Sequence, residues 1–134
     1  MWPTSQAPPT VLIVDRDVAF TWWLGEMFAE AGSHVIPAVN CTQAVSLVRK
    51  LEMTVELIVV NPNLRGVSQM IRTLRQLNRS MKVVAITDGE ASAAASIQAD
   101  TTLQRPSGWE PVSRPDWLDR VHRILRAART PGGA

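Results

Sequence analysis

Side chains able to bind or transform a ligand gather in four short stretches of this sequence: Asp15-Arg16-Asp17, Asn61-Pro62-Asn63, Thr87-Asp88 and Arg105-Pro106. Each closes or closely follows an apolar or β-branched run, namely Val11–Val14, Leu57–Val60, Val83–Ile86 and Thr101–Leu103. Carboxylates, amides, a hydroxyl and guanidinium groups at four such places are more than a packed core needs, and suit the binding of a polar or ionic ligand. Other chemistry is poorly provided for. His34 and His122 are too few and too far apart for a metal site or for a base beside the single Cys41, and a structural role is expected of each. There is no Gly-rich phosphate loop, no Ser/His/Asp order with supporting motifs and no cysteine pair, so no catalytic residue and no enzymatic activity are expected.

The elements that must position these stretches follow from the apolar pattern. Val11–Val14, Val35-Ile36, Leu57–Val60 and Val83–Ile86 read as strands buried on both faces, with Thr101–Leu103 as a weaker fifth. Strands alternating with helix-like segments imply a parallel sheet covered by helices on both faces, because parallel neighbours need a crossover connection. In such a sheet ligands bind beyond the carboxyl ends of the strands, where the four stretches fall. In the first helix Asp17 is the expected cap, Phe20, Leu24, Met27, Phe28 and Ala31 form the inward stripe, and Gly32 ends it. Trp23 flanks that stripe; Trp22, nearly opposite Phe20, is expected to be exposed. The last helix starts at Ser113-Arg114-Pro115-Asp116, buries Trp117, Leu118, Val121, Ile124, Leu125 and Ala128, and turns Arg120, Arg123 and Arg126 outward. Ala91–Ala95 suits a small-residue fourth helix.

The 134 residues suffice for one domain: residues 10–129 are read as that domain, 1–9 as a loosely held start and 130–134 as a flexible tail. A lone cysteine points to a reducing compartment, and the start of the chain lacks a basic segment followed by an apolar core. No stretch approaches about 18 apolar residues, so a cytoplasmic protein without membrane contact is expected. The net charge of +2 conceals an acidic first half and a basic second half. The basic residues are spaced along helices rather than clustered in a block, which makes nucleic-acid binding through Arg120, Arg123 and Arg126 a minor alternative.

Val-Leu-Ile-Val-Asp-Arg-Asp, Leu-Ile-Val-Val-Asn-Pro-Asn-Leu-Arg-Gly, Val-Val-Ala-Ile-Thr and Thr-Thr-Leu-Gln-Arg-Pro occur in an order and spacing that resemble a response-regulator receiver domain over about residues 10–128. The resemblance implies a flavodoxin-like doubly wound five-stranded parallel sheet of order 2-1-3-4-5. It matches Asp15 to the family's first acidic residue, Arg16 to the second, Asn61 to the phosphoacceptor aspartate, Asn63 to the position whose carbonyl helps bind magnesium, Thr87 to the hydroxyl and Arg105 to the lysine. Three of these five side-chain positions are altered. An amide is not a carboxylate nucleophile, so Asn61 is expected not to be phosphorylated, and Pro62 lacks the N–H that a succinimide route to aspartate would use. Magnesium, which wants hard oxygen ligands, is expected to be absent or weak. The pocket charge from Asp15, Arg16 and Arg105 is about +1, or 0 if Asp17 turns inward.

On this reading Arg16 or Arg105 takes the vacated cation position, pairing with Asp15 and the Asn61 carbonyl; the alternative is that Arg16 extends into water over plain polar surface. The aromatic switch position falls on Leu103 or Thr102, neither aromatic, and Thr87 serves either as the hydroxyl or only in local packing. The connection Ser107–Val112 is about five residues longer than is usual in the family, and its Trp109 is read either as an interface anchor or as a lid on the core. The expected function is that of a degenerate, stand-alone receiver in two-component or phosphorelay signalling. It acts by phosphorylation-independent contact with a protein partner: a histidine kinase, a phosphotransfer protein or another regulator. The expected contact surfaces are Trp22, Trp109, Arg120 and Arg123, with a homodimer through the last helix as a further possibility. A phosphorylatable receiver using Asp15, Asp17 or another acidic acceptor is the second alternative.

Overall fold

Alternation along each strand builds two cores from one sheet. In β1 (Thr10–Val14) Leu12 and Val14 face one layer and Val11 and Ile13 the other, and every residue is buried. The same division runs through β3 (Leu57–Val60) and β4 (Lys82–Thr87), flanked by β2 (His34–Ala38) and β5 (Thr101–Gln104) at the edges. All neighbours are parallel, in the order β2-β1-β3-β4-β5. The molecule is represented by a computed structural model that describes residues 8–88, 97–106 and 113–129. The expected helix around Ala91–Ala95, the loop carrying Trp109, and residues 1–7 and 130–134 lie outside the described residues.

The helices are α1 (Val18–Glu30), α2 (Cys41–Leu51), α3 (Val67–Leu77) and α4 (Arg114–Arg129). One core layer joins α2 and α3 to the sheet through Ala44, Val48, Val67, Met70, Ile71 and Leu74; the other joins α1 and α4 through Phe20, Leu24, Phe28, Trp117, Val121 and Leu125. This is the doubly wound arrangement expected from the apolar runs. Among the described residues no helix is long and apolar enough to cross a membrane.

Local chemistry explains where α1 starts and stops. Asp17, in extended backbone, accepts the Phe20 N–H on Oδ1 at 3.1 Å, and Gly32 at φ +95° carries the chain out in a conformation that a side chain would strain. Asp17→Ala is expected to lower the unfolding free energy by about 1 kcal/mol, measured by urea denaturation; the loss is smaller for Asp17→Asn, which keeps an acceptor oxygen. Trp22 is exposed at 68%, as its helical phase requires. Trp23 is half-buried, edge-on to Trp117 at 5.0 Å between ring centroids, which joins α1 to α4. Of the last-helix residues expected inside, Trp117, Val121 and Leu125 are buried, whereas Leu118, Ile124 and Ala128 are only half-buried because they border the packed stripe. His34 and His122 are both exposed, so neither belongs to the core. Cys41 is buried, and desolvation pushes its thiol up, leaving a small apolar filler at neutral pH.

Candidate functional site at the carboxyl edge of the sheet

The sheet brings four of its strand ends together. Asp15 follows β1 and is 1% exposed, so its carboxylate must be satisfied within the protein. Oδ1 accepts the backbone N–H of Asp17 at 3.2 Å and the Asn61 amide at 3.3 Å; Oδ2 accepts Nη2 of Arg105 at 2.5 Å. Asn61, directly after β3, is also buried. Its amide nitrogen is turned to Asp15, and its oxygen accepts the Asn63 N–H at 2.9 Å, closing a turn over Pro62. Thr87 ends β4 with its side chain buried, and its carbonyl accepts the Arg105 N–H at 2.7 Å.

Arg105 organises the cluster. Nη2 pairs with Asp15, Nη1 with Asp17 Oδ2 at 3.2 Å, and Nε with Asp88 Oδ1 at 2.8 Å. The guanidinium carbon sits 4.7 Å from the Phe20 ring centroid, adding a cation–π contact. Burial opposes its charge, but its hydrogen bonds to Asp15 and Asp88 and the attraction of their charges outweigh this and raise its pKa. A planar fork with donors on three nitrogens spans all three carboxylates, a wider reach than the three donors on the one nitrogen of an ammonium have.

These positions decide between the sequence expectations. Arg105, not Arg16, takes the internal cation position; Arg16 is exposed in the turn before α1 and makes no ion pair with the described residues. The expected contact of that arginine with the Asn61 carbonyl is not made, because the turn through Asn63 claims that oxygen. The charge sum also changes. With Arg16 turned away and the exposed Asp17 and Asp88 both reaching Arg105, three carboxylates surround one guanidinium, for a formal −2 rather than +1 or 0. Asp88, which the sequence placed at a strand end without assigning it to the pocket, belongs to the cluster. Thr87 pairs with Gln104 in the β4–β5 register, so the next residues, Asp88 and Arg105, are neighbours across the sheet, a signal that strand pairing alone supplies. Asn63 is exposed, Leu103 is buried in the core and Thr102 is exposed.

The residues present do not suit a magnesium ion. Each oxygen of Asp15 already accepts a hydrogen bond, the Asn61 oxygen is used by a backbone N–H, and the position matching a second acidic ligand carries the cation Arg16. On the proposed partner surfaces, Arg120 stacks over Trp117 at 5.1 Å, and Arg123 pairs with Asp119 at 2.8 Å. Both flank a groove of about 290 Å3 between β5 and α4.

No protein-family model and no curated protein matches the chain. Solved structures do match over nearly the full length. A CheY-like response regulator receiver domain protein from Methanospirillum hungatei JF-1 aligns with a TM-score of 0.68 at 18% identity, covering 93% of this chain and 99% of that one. A response regulator receiver protein from Sinorhizobium medicae WSM419 gives 0.67 at 19% identity, covering 91% and 98%. A two-component response regulator from Clostridium difficile gives 0.66 at 20% identity, covering 91% and 99%. The fold is that of a response-regulator receiver domain. The receiver fold places the Asp15–Asn61–Thr87–Arg105 cluster at the carboxyl edge of its sheet, where the sequence resemblance puts the family's phosphoacceptor pocket.

Proposed function

We propose that this protein is a degenerate receiver that works in two-component or phosphorelay signalling in the cytoplasm, by contact with a protein partner and without being phosphorylated. One observation carries the reading: the Arg105 guanidinium binds Asp15, Asp17 and Asp88 beside an asparagine at the phosphoacceptor position. An internal cation fixed by three carboxylates replaces both a metal and a phosphoryl group as the partner of this pocket, so one conformation is held without either. Incubation with acetyl phosphate and Mg2+ followed by intact-mass measurement tests this, with a receiver that has an aspartate acceptor as positive control. No phosphoryl mass is expected on this protein; added mass that disappears in Asp15→Asn would overturn the reading in favour of an unconventional acceptor.

The partner surface we favour is the exposed side of α1, where Val18 and Trp22, one helical turn apart, are 64% and 68% exposed. Trp22→Ala is expected to leave the unfolding free energy within about 0.5 kcal/mol of the native value, because the side chain contributes little to the core. A larger loss on urea denaturation would assign Trp22 to packing. The groove between β5 and α4, with Arg120 and Arg123, is the face proposed for self-association.

A further inference from the structure

A second surface lies between α2 and α3 and shares no residue with the strand-end cluster. It is an open groove of about 970 Å3 with Val45 and Met70 among its lining residues, and with Arg49, Lys50 and Arg65 also lining it. Both helices follow parallel strands and pack on the same layer, so they run in the same direction. Arg65 therefore stands at the N-terminal end of the groove and Arg49 and Lys50, in the last turn of α2, at the other. Along α2 the groove runs from Cys41 to Arg49, a rise of about 12 Å.

The lining contains no acidic and no aromatic side chain, and neither helix contributes an acidic residue. Between Glu56 and Asp88 the sequence has five basic residues and no acidic one. Among the described residues none of the three groove cations is in an ion pair, so their charge is uncompensated. Cations at two ends of a groove lined between them by Val45 and the polar residues Ser46, Gln69 and Thr73 do not converge on one point, as donors around a single phosphate would. Without an aromatic platform the groove also lacks what single-stranded nucleic acid uses for stacking.

We propose that this groove docks an acidic peptide segment of a protein partner, with carboxylates toward Arg65 at one end and Arg49 and Lys50 at the other, and with the intervening side chains over Val45, Ser46, Gln69 and Thr73. The proposal does not depend on whether the strand-end pocket takes a phosphoryl group. Its test uses a fluorescein-labelled synthetic peptide of repeating Glu-Glu-Leu, with anisotropy for affinity and amide shifts of the native protein for location. Saturable binding is expected, with shifts confined to α2 and α3 and an affinity reduced about tenfold or more in Arg49→Glu/Arg65→Glu. Arg79→Glu/Arg114→Glu, at exposed positions outside the groove lining, makes the same change in net charge and is expected to stay within about twofold. Equal loss in the two variants, shifts on α4 instead, or absence of saturable binding would overturn the proposal. So would equally tight binding of an oligonucleotide of matched charge, which would assign the groove to nucleic acid.

Discussion

Arg105→Ala is expected to lower the unfolding free energy by about 3 kcal/mol. The loss arises less from the attraction removed than from what is left behind: Asp15 is 1% exposed, and without Arg105 its Oδ2 has neither a protein donor nor free access to water. Asp17 and Asp88 reach solvent and contribute little of the change. Arg105→Lys keeps the charge but carries its three donors on one nitrogen, with less reach than the fork, so about half that loss is expected. The sharper measurement is a double-mutant cycle of Arg105→Met with Asp15→Asn by urea denaturation. The double variant buries no unpaired charge and is expected to be more stable than the sum of the single changes predicts, by about 2 kcal/mol. Simple additivity would mean that the buried pair is not a unit.

Trp117→Ala is the second large effect, about 4 kcal/mol. Trp117 is 6% exposed and lies against Trp23 on α1, with the Arg120 guanidinium over its ring. Removing it opens a cavity in the layer that holds α4 to the sheet, and it also uncovers Trp23 and strands Arg120. Trp117→Phe keeps an aromatic edge for Trp23 and is expected to cost about 1–2 kcal/mol. Both values come from chemical denaturation followed by far-ultraviolet circular dichroism, since other tryptophans complicate fluorescence. A loss below about 1 kcal/mol for Trp117→Ala would show that α4 is held by its ion pair to Glu30 through Arg114 and not by this packing.

The described strands and helices were legible because buried parallel strands leave continuous apolar runs and amphipathic helices leave a stripe, as in Val11–Val14 and Phe20–Phe28, while the strand order came from the family resemblance. The exposure of Trp22 followed from helical phase alone. The meeting of Asp15, Asn61, Thr87 and Arg105 followed once the strand ends were placed on one edge. Which arginine enters the pocket was not legible. Arg16 and Arg105 both stand next to strand ends, and only the tertiary path shows Arg16 in the turn that delivers the Asp17 cap while Arg105 emerges beside Thr87. Asp88 escaped for the same reason: its carboxylate acts on a residue 17 positions away, through register that a single sequence does not fix. The expected pocket charge of +1 or 0 gives way to a formal −2, and the Asp15 oxygens accept hydrogen bonds from Asn61 and Arg105.

The central claim is that this pocket is closed to a metal and to a phosphoryl group because Arg105 fills it. Its most direct test is a titration of isotope-labelled protein with Mg2+ and then beryllofluoride, reading the amides of Asp15, Asn61 and Thr87. No site-specific shift is expected at several millimolar metal, with or without the phosphoryl mimic. Saturable shifts at those three amides that spread to α4 would contradict it and would mean that Arg105 yields its place to a ligand.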